Sequence, residues 1–206
     1  MARCTAAEAA KTRERLLDAA LEVFWEEGVA RPSLTRVGER AGMTRGAVYG
    51  HFANKTDLFA ALCDRYLLPA DVLEAHRNRG ADDPLGTLTA WLVDVLRRAR
   101  ADREYRMLME ILFLKCEAVE GDDVRDRLQR DSRRARHHER ELLAAAVARG
   151  QAPSDLDVEA ATTTIHGLLG GLIRLFALDG SLDPEPILAR LGPLVVELLG
   201  GTALRR

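Results

Sequence analysis

The chain has 206 residues, of which 47% are hydrophobic and 30% charged, a composition typical of a soluble protein with one or two sizeable cores. Only 5% of the residues are aromatic and runs of β-branched residues are absent, which disfavours a β-sheet protein. Long segments of Ala, Leu, Arg and Glu instead predict an all-α fold of about nine helices.

The net charge of −2 conceals an uneven distribution of charged residues. Residues 1–55 carry nine Lys or Arg against seven Asp or Glu, and the rest of the chain carries 21 against 25. This basic bias of the N-terminal part is modest. It permits DNA binding by that part of the chain without establishing it.

The cysteines predict a protein of the reducing cytoplasm. Cys4, Cys63 and Cys116 show no CxxC spacing and cannot all pair within one chain. Cys63 and Cys116 lie in apolar helical patterns, so they are predicted as small core residues in preference to redox sensors. Met1 to Lys11 lacks the apolar run of a signal peptide, which agrees with a cytoplasmic location.

A first helix is predicted from Thr5 to Glu27. The spacing of Thr5 and Glu8 is that of a capping box, and Gly28 can end the helix. Its apolar residues recur on one face, namely Leu16, Leu17, Ala20, Leu21 and Phe24. That face is expected to pack on the next two helices.

The stretch 33–52 predicts a helix-turn-helix motif. Ser33 can cap a first helix that runs from Leu34 to Ala41. Gly42 then supplies the left-handed backbone that ends this helix, and Thr44 can cap a second one that runs to about His51. Two helices joined by a short glycine turn are typical of DNA-binding hairpins.

The second motif helix carries residues that suit the major groove of DNA. Arg45 can reach a guanine edge or a phosphate, and Gly46 and Ala47 let the backbone approach closely. At the next helix start, which Asn54 can cap, a phosphate can meet the Lys55 ammonium group. The predicted DNA-binding residues are Ser33, Thr35, Thr44, Arg45, Gly46, Ala47, Tyr49, His51 and Lys55. The alternative is an ordinary helical corner with a solvated polar face.

Residues 44–59, which read Thr-Arg-Gly-Ala-Val-Tyr-Gly-His-Phe-Ala-Asn-Lys-Thr-Asp-Leu-Phe, resemble the signature of the TetR family of bacterial transcription factors. One departure is Gly50, where close relatives usually carry tryptophan. Glycine costs about 1 kcal/mol of helix propensity relative to alanine, so the helix end is expected to be looser here. The resemblance implies a DNA-binding domain at 1–55 and a ligand-binding and dimerisation domain at 56–206.

The next helix is predicted to link these two domains. It runs from Lys55 towards Leu68 or beyond, and Pro69 lies inside it or at its end. A proline within a helix removes a hydrogen bond and kinks the axis, so a bend is expected here. Asn78 to Asp83 predicts a loop, after which Pro84 begins another helix behind a cap at Asp82 or Asp83.

A second informative stretch, Arg106 to Glu117, resembles the drug-responsive repressors of tripartite (RND-type) multidrug efflux pumps, the acriflavine-resistance type among them. This resemblance covers nearly the whole chain, and it implies a drug pocket in the C-terminal domain. The predicted ligand-binding residues at matching positions are Leu62, Tyr66, Leu88, Trp91, Leu92, Val95, Met109, Glu110, Phe113, His166 and Leu169. The alternative is that most of them are ordinary core residues.

Glu110 lies in an apolar run, where a carboxylate is costly to bury without a partner. The resemblance makes it a polar anchor at the pocket wall. It can equally pair with Lys115 or Arg106, or lie exposed at the edge of its helix. Met109 and Phe113 stand where relatives often have polar residues, so a more apolar and adaptable pocket is expected.

A long charged helix is predicted from Asp122 to Arg149. Between Asp122 and Glu141 it has seven arginines and six acids, so these charges are expected to pair with one another and not with nucleic acid. His137 and His138 point to different helix faces and no third ligand has a plausible spacing, so no metal or other cofactor is predicted. The chain also shows no catalytic motif, and an enzyme is not predicted.

Two apolar C-terminal helices predict a homodimer. The helix from Asp157 to Asp179 is apolar nearly all round and must be covered on both sides, and a helix from Pro184 to Leu199 is amphipathic. The resemblance implies that both pair with a second copy, through Thr164, Leu168, Gly171, Leu172, Leu175, Leu191 and Val195. An internal helical core is the alternative. Polar residues and glycines within the first of these helices argue against a membrane span.

The sequence therefore predicts a cytoplasmic, homodimeric repressor of transcription that binds a palindromic operator in double-stranded DNA. A hydrophobic small molecule is expected to release it, and a multidrug efflux operon is the expected target. One alternative is a TetR-type repressor that senses an endogenous metabolite. Another is a small-molecule-binding protein whose DNA domain is degenerate.

Overall fold

The computed structural model describes residues 6–78, 82–116, 122–179 and 181–200, which form ten helices and no strand. The helices are α1 (Ala6–Glu27), α2 (Leu34–Arg40), α3 (Arg45–Tyr49), α4 (Lys55–Asp64), α5 (Pro69–Arg77), α6 (Pro84–Ala101), α7 (Arg103–Leu114), α8 (Asp122–Ala148), α9 (Val158–Leu178) and α10 (Glu185–Leu198). The all-α prediction is confirmed. One helix more than the predicted number is present because residues 55–77 form two helices.

The first four helices share an apolar core. Phe24 of α1 meets Phe59 of α4 edge to face, with ring centroids 6.1 Å apart. Val48 of α3 and Phe52, which follows α3, are also buried. All five residues of the predicted apolar face of α1 are buried as well. Burial of a Leu or Phe side chain stabilises by about 1.5–3 kcal/mol, so α1 and α4 hold the two short motif helices in place.

The end of α1 follows the sequence prediction. Gly28 has a φ of +78°, a left-handed conformation that glycine adopts without strain, and its N–H donates to the Phe24 carbonyl at 3.0 Å. The predicted capping box at Thr5 lies outside the described residues.

The predicted bend at Pro69 is wrong. α4 ends at Asp64, and Pro69 is the first residue of a separate helix, α5. The backbone N–H of Leu68 donates to Asp71 Oδ2 at 2.9 Å, which caps the new helix. Proline is favoured at a first helical position because the N–H that it lacks would have no partner there, so this proline begins a helix and does not kink one.

Further along the chain, α6 packs against α5, α9 and α10. Asp83 caps α6 by accepting from the Gly86 N–H at 2.8 Å, and Pro84 is its first residue, as predicted. Asp157 caps α9 in the same manner, accepting from the N–H of Glu159 and of Ala160. The buried residues of α6 are Pro84, Leu85, Thr87, Leu88, Trp91, Leu92, Val95 and Leu96.

The chain divides into two compact units, each built from two stretches of sequence. Unit 1 comprises residues 1–66 and 104–128, and unit 2 comprises residues 67–103 and 129–206. Unit 1 therefore contains the helix-turn-helix, α4 and almost all of α7. Unit 2 contains α5, α6, α9, α10 and most of α8. The functional boundary predicted at residue 55 stays a prediction.

Two cysteines lie among the described residues. Cys63 is buried and Cys116 is half-buried, and neither forms a disulfide. Burial raises the pKa of the Cys116 thiol to about 12. Because the thiolate is the reactive form, Cys116 behaves as a small core residue at neutral pH. Cys4 lies outside the described residues.

Candidate DNA-binding surface and effector site

Short-range caps form the helix-turn-helix as predicted. Ser33 Oγ accepts from the Arg36 N–H at 3.2 Å, and Thr44 Oγ1 accepts from the Ala47 N–H at 3.3 Å. Between them Gly42 has a φ of +67°, which ends α2. The Met43 N–H donates to the Gly38 carbonyl at 2.8 Å and closes the turn. Each of these bonds spans five residues or fewer, so the motif is specified by its own sequence.

Gly38 is a structural requirement of the motif that the sequence analysis missed. A Cβ at this position would lie 2.6 Å from Cγ2 of Val48, which is itself fully buried. Any larger residue would push α3 away from α2. The available signal was a glycine four residues after Leu34, on the apolar face of α2.

One face of α3 is open to solvent and carries the predicted DNA-contacting side chains. Arg45 is exposed, and its guanidinium carbon lies 5.3 Å from the centroid of the Tyr49 ring. Tyr49 is 46% exposed, an unusual position for a large aromatic ring. A Cβ on Gly46 would meet nothing within 4 Å. This face can therefore approach another molecule closely with a cation and a phenol at its surface.

The two arginines of α2 are bound within the chain. Arg36 Nε donates to Glu27 at 2.8 Å. Arg40 donates to Glu22 at 3.0 Å and makes a second, shorter contact with Glu26. That hydrogen bond from Arg40 holds the pKa of the Glu26 carboxyl below its usual range. These pairs attach α2 to α1, and Arg45 is the motif's exposed cation on α3.

Lys55 lies at the first position of α4, and Asn54 caps this helix as predicted by accepting from the Asp57 N–H at 2.8 Å. The Lys55 ammonium donates to the Ala30 carbonyl at 2.5 Å, and its partial burial lowers its pKa. An ammonium group has three donors, so a phosphate contact is compatible with this bond. Of the other predicted residues, Ser33 and Thr44 are exposed, and Thr35, Ala47 and His51 are half-buried.

In unit 1, five predicted ligand-binding residues lie on α4, on α7 and just after α4. Leu62 and Met109 are fully buried, and Phe113 is half-buried. Tyr66 donates its hydroxyl hydrogen to Glu104 at 2.8 Å.

Glu110 has a partner that none of the sequence-based alternatives named. Its Oε2 accepts from the indole Nε1–H of Trp25 at 2.5 Å, across 85 residues of sequence. Lys115 Nζ contacts the Trp25 carbonyl and lies 5.1 Å from the centroid of its ring. The Lys115 carbonyl in turn accepts from the Val29 N–H at 3.4 Å. The end of α7 is thereby attached to the end of α1, the helix that carries the motif.

In unit 2, the other predicted ligand-binding residues are almost entirely buried. Leu88, Trp91, Leu92, Val95 and Leu169 each have 0% exposure. Trp91 Nε1–H donates to the Pro69 carbonyl at 2.8 Å, which fixes the ring against the start of α5. These residues form an apolar interior with one satisfied polar atom, a composition shared by drug pockets and by ordinary cores.

His166 belongs to a polar row that the sequence analysis missed. Its Nδ1 lies 3.0 Å from Glu139 Oε1, and its Nε2 lies 3.0 Å from Ser132 Oγ. Glu139 is fully buried. Ser132 and Glu139 are seven residues apart on α8 and therefore share a face. No sequence signal marks that face among so many charged residues, which is why this row was not predicted.

A cavity of about 330 Å³ lies between α5 and the second half of α8 in unit 2. It is lined by Glu74, Arg77, Asn78, Pro84, His138, Glu141, Leu142, Ala145 and Arg149, none of which is a predicted ligand-binding residue. Arg77 donates to His138 Nδ1 and to Glu141, the second bond at 2.8 Å. Burial, and then the Arg77 charge, lower the pKa of His138. The charged lining of this cavity differs from the apolar lining of the drug pocket that was predicted from the sequence.

The predicted dimer residues divide between the surface and the core. Thr164, Gly171 and Leu175 on α9 are exposed, and Leu168 and Leu172 are half-buried. Leu191 and Val195 of α10 have 2% and 0% exposure. The prediction for those two is wrong, because they pack inside their own chain. The exposed large apolar residues of the same two helices are Leu175, Leu178, Leu194 and Leu198.

By length and composition alone, α9 is apolar enough to cross a membrane, and it is the single helix of the described ranges that passes this test. Only 28% of its apolar window is buried inside the chain. Much of its surface therefore has no cover within one copy of the protein. Among the described residues no cluster of three or more His, Cys, Asp or Glu is suited to a metal ion.

A capped helix-turn-helix with an open cationic face, carried by an all-helical chain, defines the class of helix-turn-helix transcription factors. Two family models match the chain. The model described as bacterial regulatory proteins, tetR family, matches residues 16–62, and that of the MAATS-type transcriptional repressor C-terminal region matches residues 83–181. The protein belongs to the TetR family, and the prediction from residues 44–59 is confirmed.

Known proteins place it near the efflux repressors of that family. The HTH-type transcriptional regulator TtgR of Pseudomonas putida is 39% identical over 181 residues, which cover 86% of each chain. The structure of NalD, the secondary repressor of the MexAB-OprM multidrug efflux pump of Pseudomonas aeruginosa, superposes with a TM-score of 0.80 at 28% identity, over 93% of this chain and 96% of NalD.

The SmeT–triclosan complex matches at 32% identity with a TM-score of 0.74, over 92% of this chain and 90% of SmeT. SmeT is the repressor of a multidrug efflux pump of Stenotrophomonas maltophilia. The predicted resemblance to efflux repressors is therefore confirmed.

Proposed function

We propose that this protein is a cytoplasmic, homodimeric repressor of a multidrug efflux operon, released from its operator by hydrophobic compounds. The observation that carries the proposal is the open Arg45–Tyr49 face of α3, held by caps and ion pairs within the TetR-type motif. An exposed cation beside an exposed ring suits phosphate and base contacts in a groove. The remaining predicted DNA-binding residues surround this face in sequence.

A dimer is part of the proposal because one five-residue helix reads too few bases. Two recognition helices meet successive major grooves when they are separated by roughly 34–36 Å, and a two-fold protein then matches a palindromic operator. The uncovered apolar surface of α9 and the exposed leucines of α10 support self-association. Because the relatives are DNA-binding regulators, a second copy and not a membrane is the proposed cover of this surface.

An effector is proposed to bind among the predicted ligand-binding residues. The capture of triclosan by SmeT supports this assignment. To change operator occupancy from nearly full to nearly empty, an effector must bind the DNA-incompetent state about 10⁴-fold more tightly than the competent one. A mostly apolar interior such as that around Leu92 and Val95 provides binding energy through buried area and little chemical selectivity.

The decisive experiment is DNase I protection of the DNA beside the protein's own gene. A palindromic footprint next to genes for an efflux pump is expected. A footprint beside metabolic genes would favour the alternative of a metabolite sensor. Absence of any protected sequence would leave a small-molecule-binding protein with a degenerate DNA domain.

The effector part is tested with triclosan as the probe. Val95→Phe and Leu92→Trp are expected to fill the pocket, so operator binding and melting temperature persist while triclosan no longer releases the DNA. Overpacking of an ordinary core would instead destabilise by about 1–3 kcal/mol. A variant that melts much earlier yet still responds to triclosan contradicts the pocket assignment.

A further inference from the structure

The cavity between α5 and the second half of α8 combines an apolar surface with charged groups. All of its lining residues belong to unit 2, and its volume is about 330 Å³. The apolar part of the lining consists of Pro84, Leu142 and Ala145. Pockets for small molecules begin at about 300 Å³, so this cavity has room for a ligand of the size of an amino acid.

Three of the polar lining residues bind to one another. Arg77 donates to Glu141 Oε2 at 2.8 Å and to His138 Nδ1. An arginine side chain only donates, so His138 Nδ1 must accept, and the imidazole is neutral with its hydrogen on Nε2. Burial, and then the Arg77 charge, lower the pKa of His138, so the ring stays neutral at pH 7. The charges of Arg77 and Glu141 therefore cancel, and His138 adds none.

Two further charged residues line the cavity, one of each sign. Glu74 and Arg149 are exposed, and neither has an ion-pair partner among the described residues. Glu74 lies in the last turn of α5, where the partial negative charge of the helix C-terminus also attracts a cation. Arg149 directly follows the last residue of α8. The cavity thus offers one anion and one cation to a ligand, beside an apolar surface.

This balance of charge selects among classes of ligand. An anion would be attracted by Arg149 and repelled by Glu74, and a cation would meet the reverse. A zwitterion satisfies both residues, because its ammonium group can donate to the Glu74 carboxylate while its carboxylate accepts from the Arg149 guanidinium. Such charge-assisted hydrogen bonds are about twice as strong as neutral ones, so a neutral polar ligand is a poorer match.

We infer that this cavity is a second small-molecule site, which takes a zwitterion of the α-amino acid class with an apolar side chain. That side chain packs against Leu142 and Pro84, and the two charged groups bind Glu74 and Arg149. The site is separate from the predicted effector-binding residues, none of which lines it. The inference therefore does not depend on the proposed function.

The test compares four probes by titration calorimetry with the full-length protein at pH 7. L-Leucine is the zwitterion, L-leucinamide keeps only the cation, N-acetyl-L-leucine keeps only the anion, and glycine lacks the apolar side chain. Leucine is expected to bind with a dissociation constant between about 10 µM and 1 mM. Each of the two singly charged analogues should bind about 3- to 10-fold more weakly. Glycine should lose about 10-fold, because its apolar contact is missing.

Two variants assign the charges. Glu74→Gln is expected to remove the advantage of leucine over N-acetylleucine and to keep its advantage over leucinamide. Arg149→Gln is expected to do the opposite. Asp126→Asn and Arg133→Gln, at exposed positions of α8 outside the cavity, are the matched controls and should bind all four probes as the wild type does. All four variants should melt like the wild type, since neither Glu74 nor Arg149 has an ion pair to lose.

Three results would overturn the inference. One is the absence of any heat of binding for leucine at millimolar concentration. Another is a wild type that binds leucinamide or N-acetylleucine as tightly as leucine. The third is a preference for leucine that survives unchanged in Glu74→Gln and Arg149→Gln, which would place the ligand elsewhere on the protein. Failure of the repressor proposal is separate, because it appears as absent operator binding in the wild type without any probe.

Discussion

Two exposed surfaces among the described residues, one on α3 and one on α9, have opposite chemistry. α3 has five residues and exposes a guanidinium and a phenol ring. α9 has 21 residues and exposes mainly threonines, glycines and leucines. A cationic surface is covered by a polyanion, and an apolar surface by another apolar one. If the surface on α3 binds DNA and the surface on α9 binds a second copy, as proposed, the first contact is sensitive to salt and the second is tolerant of it.

This difference indicates how the two contacts should respond to conditions. Phosphate contacts release counterions, so their affinity falls steeply with salt. Apolar contacts strengthen or stay constant when excluded salts such as sulfate are added. If the proposed function is correct, high salt removes the protein from DNA as an intact dimer.

Arg45→Ala is expected to have the largest effect. A base-reading arginine contributes about 1–3 kcal/mol, and a dimer loses two of them, so the operator complex weakens by about 2–6 kcal/mol. Sequence preference at the contacted base pair should relax as well. Fluorescence anisotropy with operator variants at physiological salt measures both effects. Arg133→Ala, an exposed arginine of α8, is the matched control and should bind the operator as the wild type does.

Lys55→Ala separates phosphate contact from base reading. Affinity is expected to fall evenly across operator sequences, with the slope of log affinity against log salt reduced by about one per contact. The melting temperature should also fall, because Lys55 donates to the Ala30 carbonyl. If the salt slope is unchanged while Arg45→Ala behaves as expected, Lys55 does not contact a phosphate. Its role is then limited to the hydrogen bond with the Ala30 carbonyl.

Gly171→Leu tests the apolar surface. A Cβ at this position meets nothing within 4 Å inside one chain, so the folded monomer is expected to tolerate leucine. A close helix contact with a second copy would be overpacked, at about 1–3 kcal/mol. Sedimentation equilibrium should then show a weaker dimer. Ala144→Leu, on the exposed side of α8, adds the same bulk elsewhere and should leave the dimer unchanged; a monomeric wild type would refute the arrangement.

Lys115→Met is expected to have a smaller effect, within unit 1. It removes the contacts of Lys115 with the Trp25 carbonyl and ring, which together contribute about 1–2 kcal/mol. The melting temperature should fall by roughly 2–8 °C in a protein of this size. Lys11→Met, at an exposed position on α1, should melt like the wild type. Equal melting of both variants would show that the end of α7 does not hold α1.

The smallest effect is expected at Cys116. Its pKa of about 12 leaves almost no thiolate at pH 8, so iodoacetamide should react very slowly with the folded protein. Mass spectrometry of the Cys116 peptide, with and without denaturant, measures this protection. Cys116→Ser should keep operator binding through cycles of oxidation and reduction. Rapid alkylation of the native thiol would make a redox role for this cysteine worth testing.

The N-terminal helices were predictable because their polar groups are satisfied locally. Ser33, Thr44 and Asn54 each cap a helix by accepting from an N–H three residues further on, and Gly42 ends α2 with its own backbone. Such bonds are visible as short spacings in a sequence. The exposure of Arg45 follows from the same helical periodicity.

The contacts of the candidate effector-binding residues were less predictable, because the hydrogen-bond partners of their polar groups lie far away in the sequence. Glu110 bonds to Trp25 across 85 residues, and His166 reaches Glu139 across 27. Periodicity indicates that Leu191 and Val195 are apolar, but it does not tell whether their own chain or a second copy covers them. Pro69 shows a related limit, since a proline within an apolar helical pattern can kink one helix or begin the next, and the pattern does not distinguish the two.

The attachment of α7 to the end of α1 has a consequence for how the protein is made. Unit 1 needs residues 104–128, yet the ribosome must first synthesise residues 67–103, which belong to unit 2. At about 5–20 residues per second, this delays the completion of unit 1 by a few seconds. During that interval Trp25 and Val29 lack their contacts with Lys115. A nascent chain that ends after α4 therefore carries an incomplete unit 1. A fragment cut at that point is accordingly a poor substitute for the full chain in any DNA-binding assay.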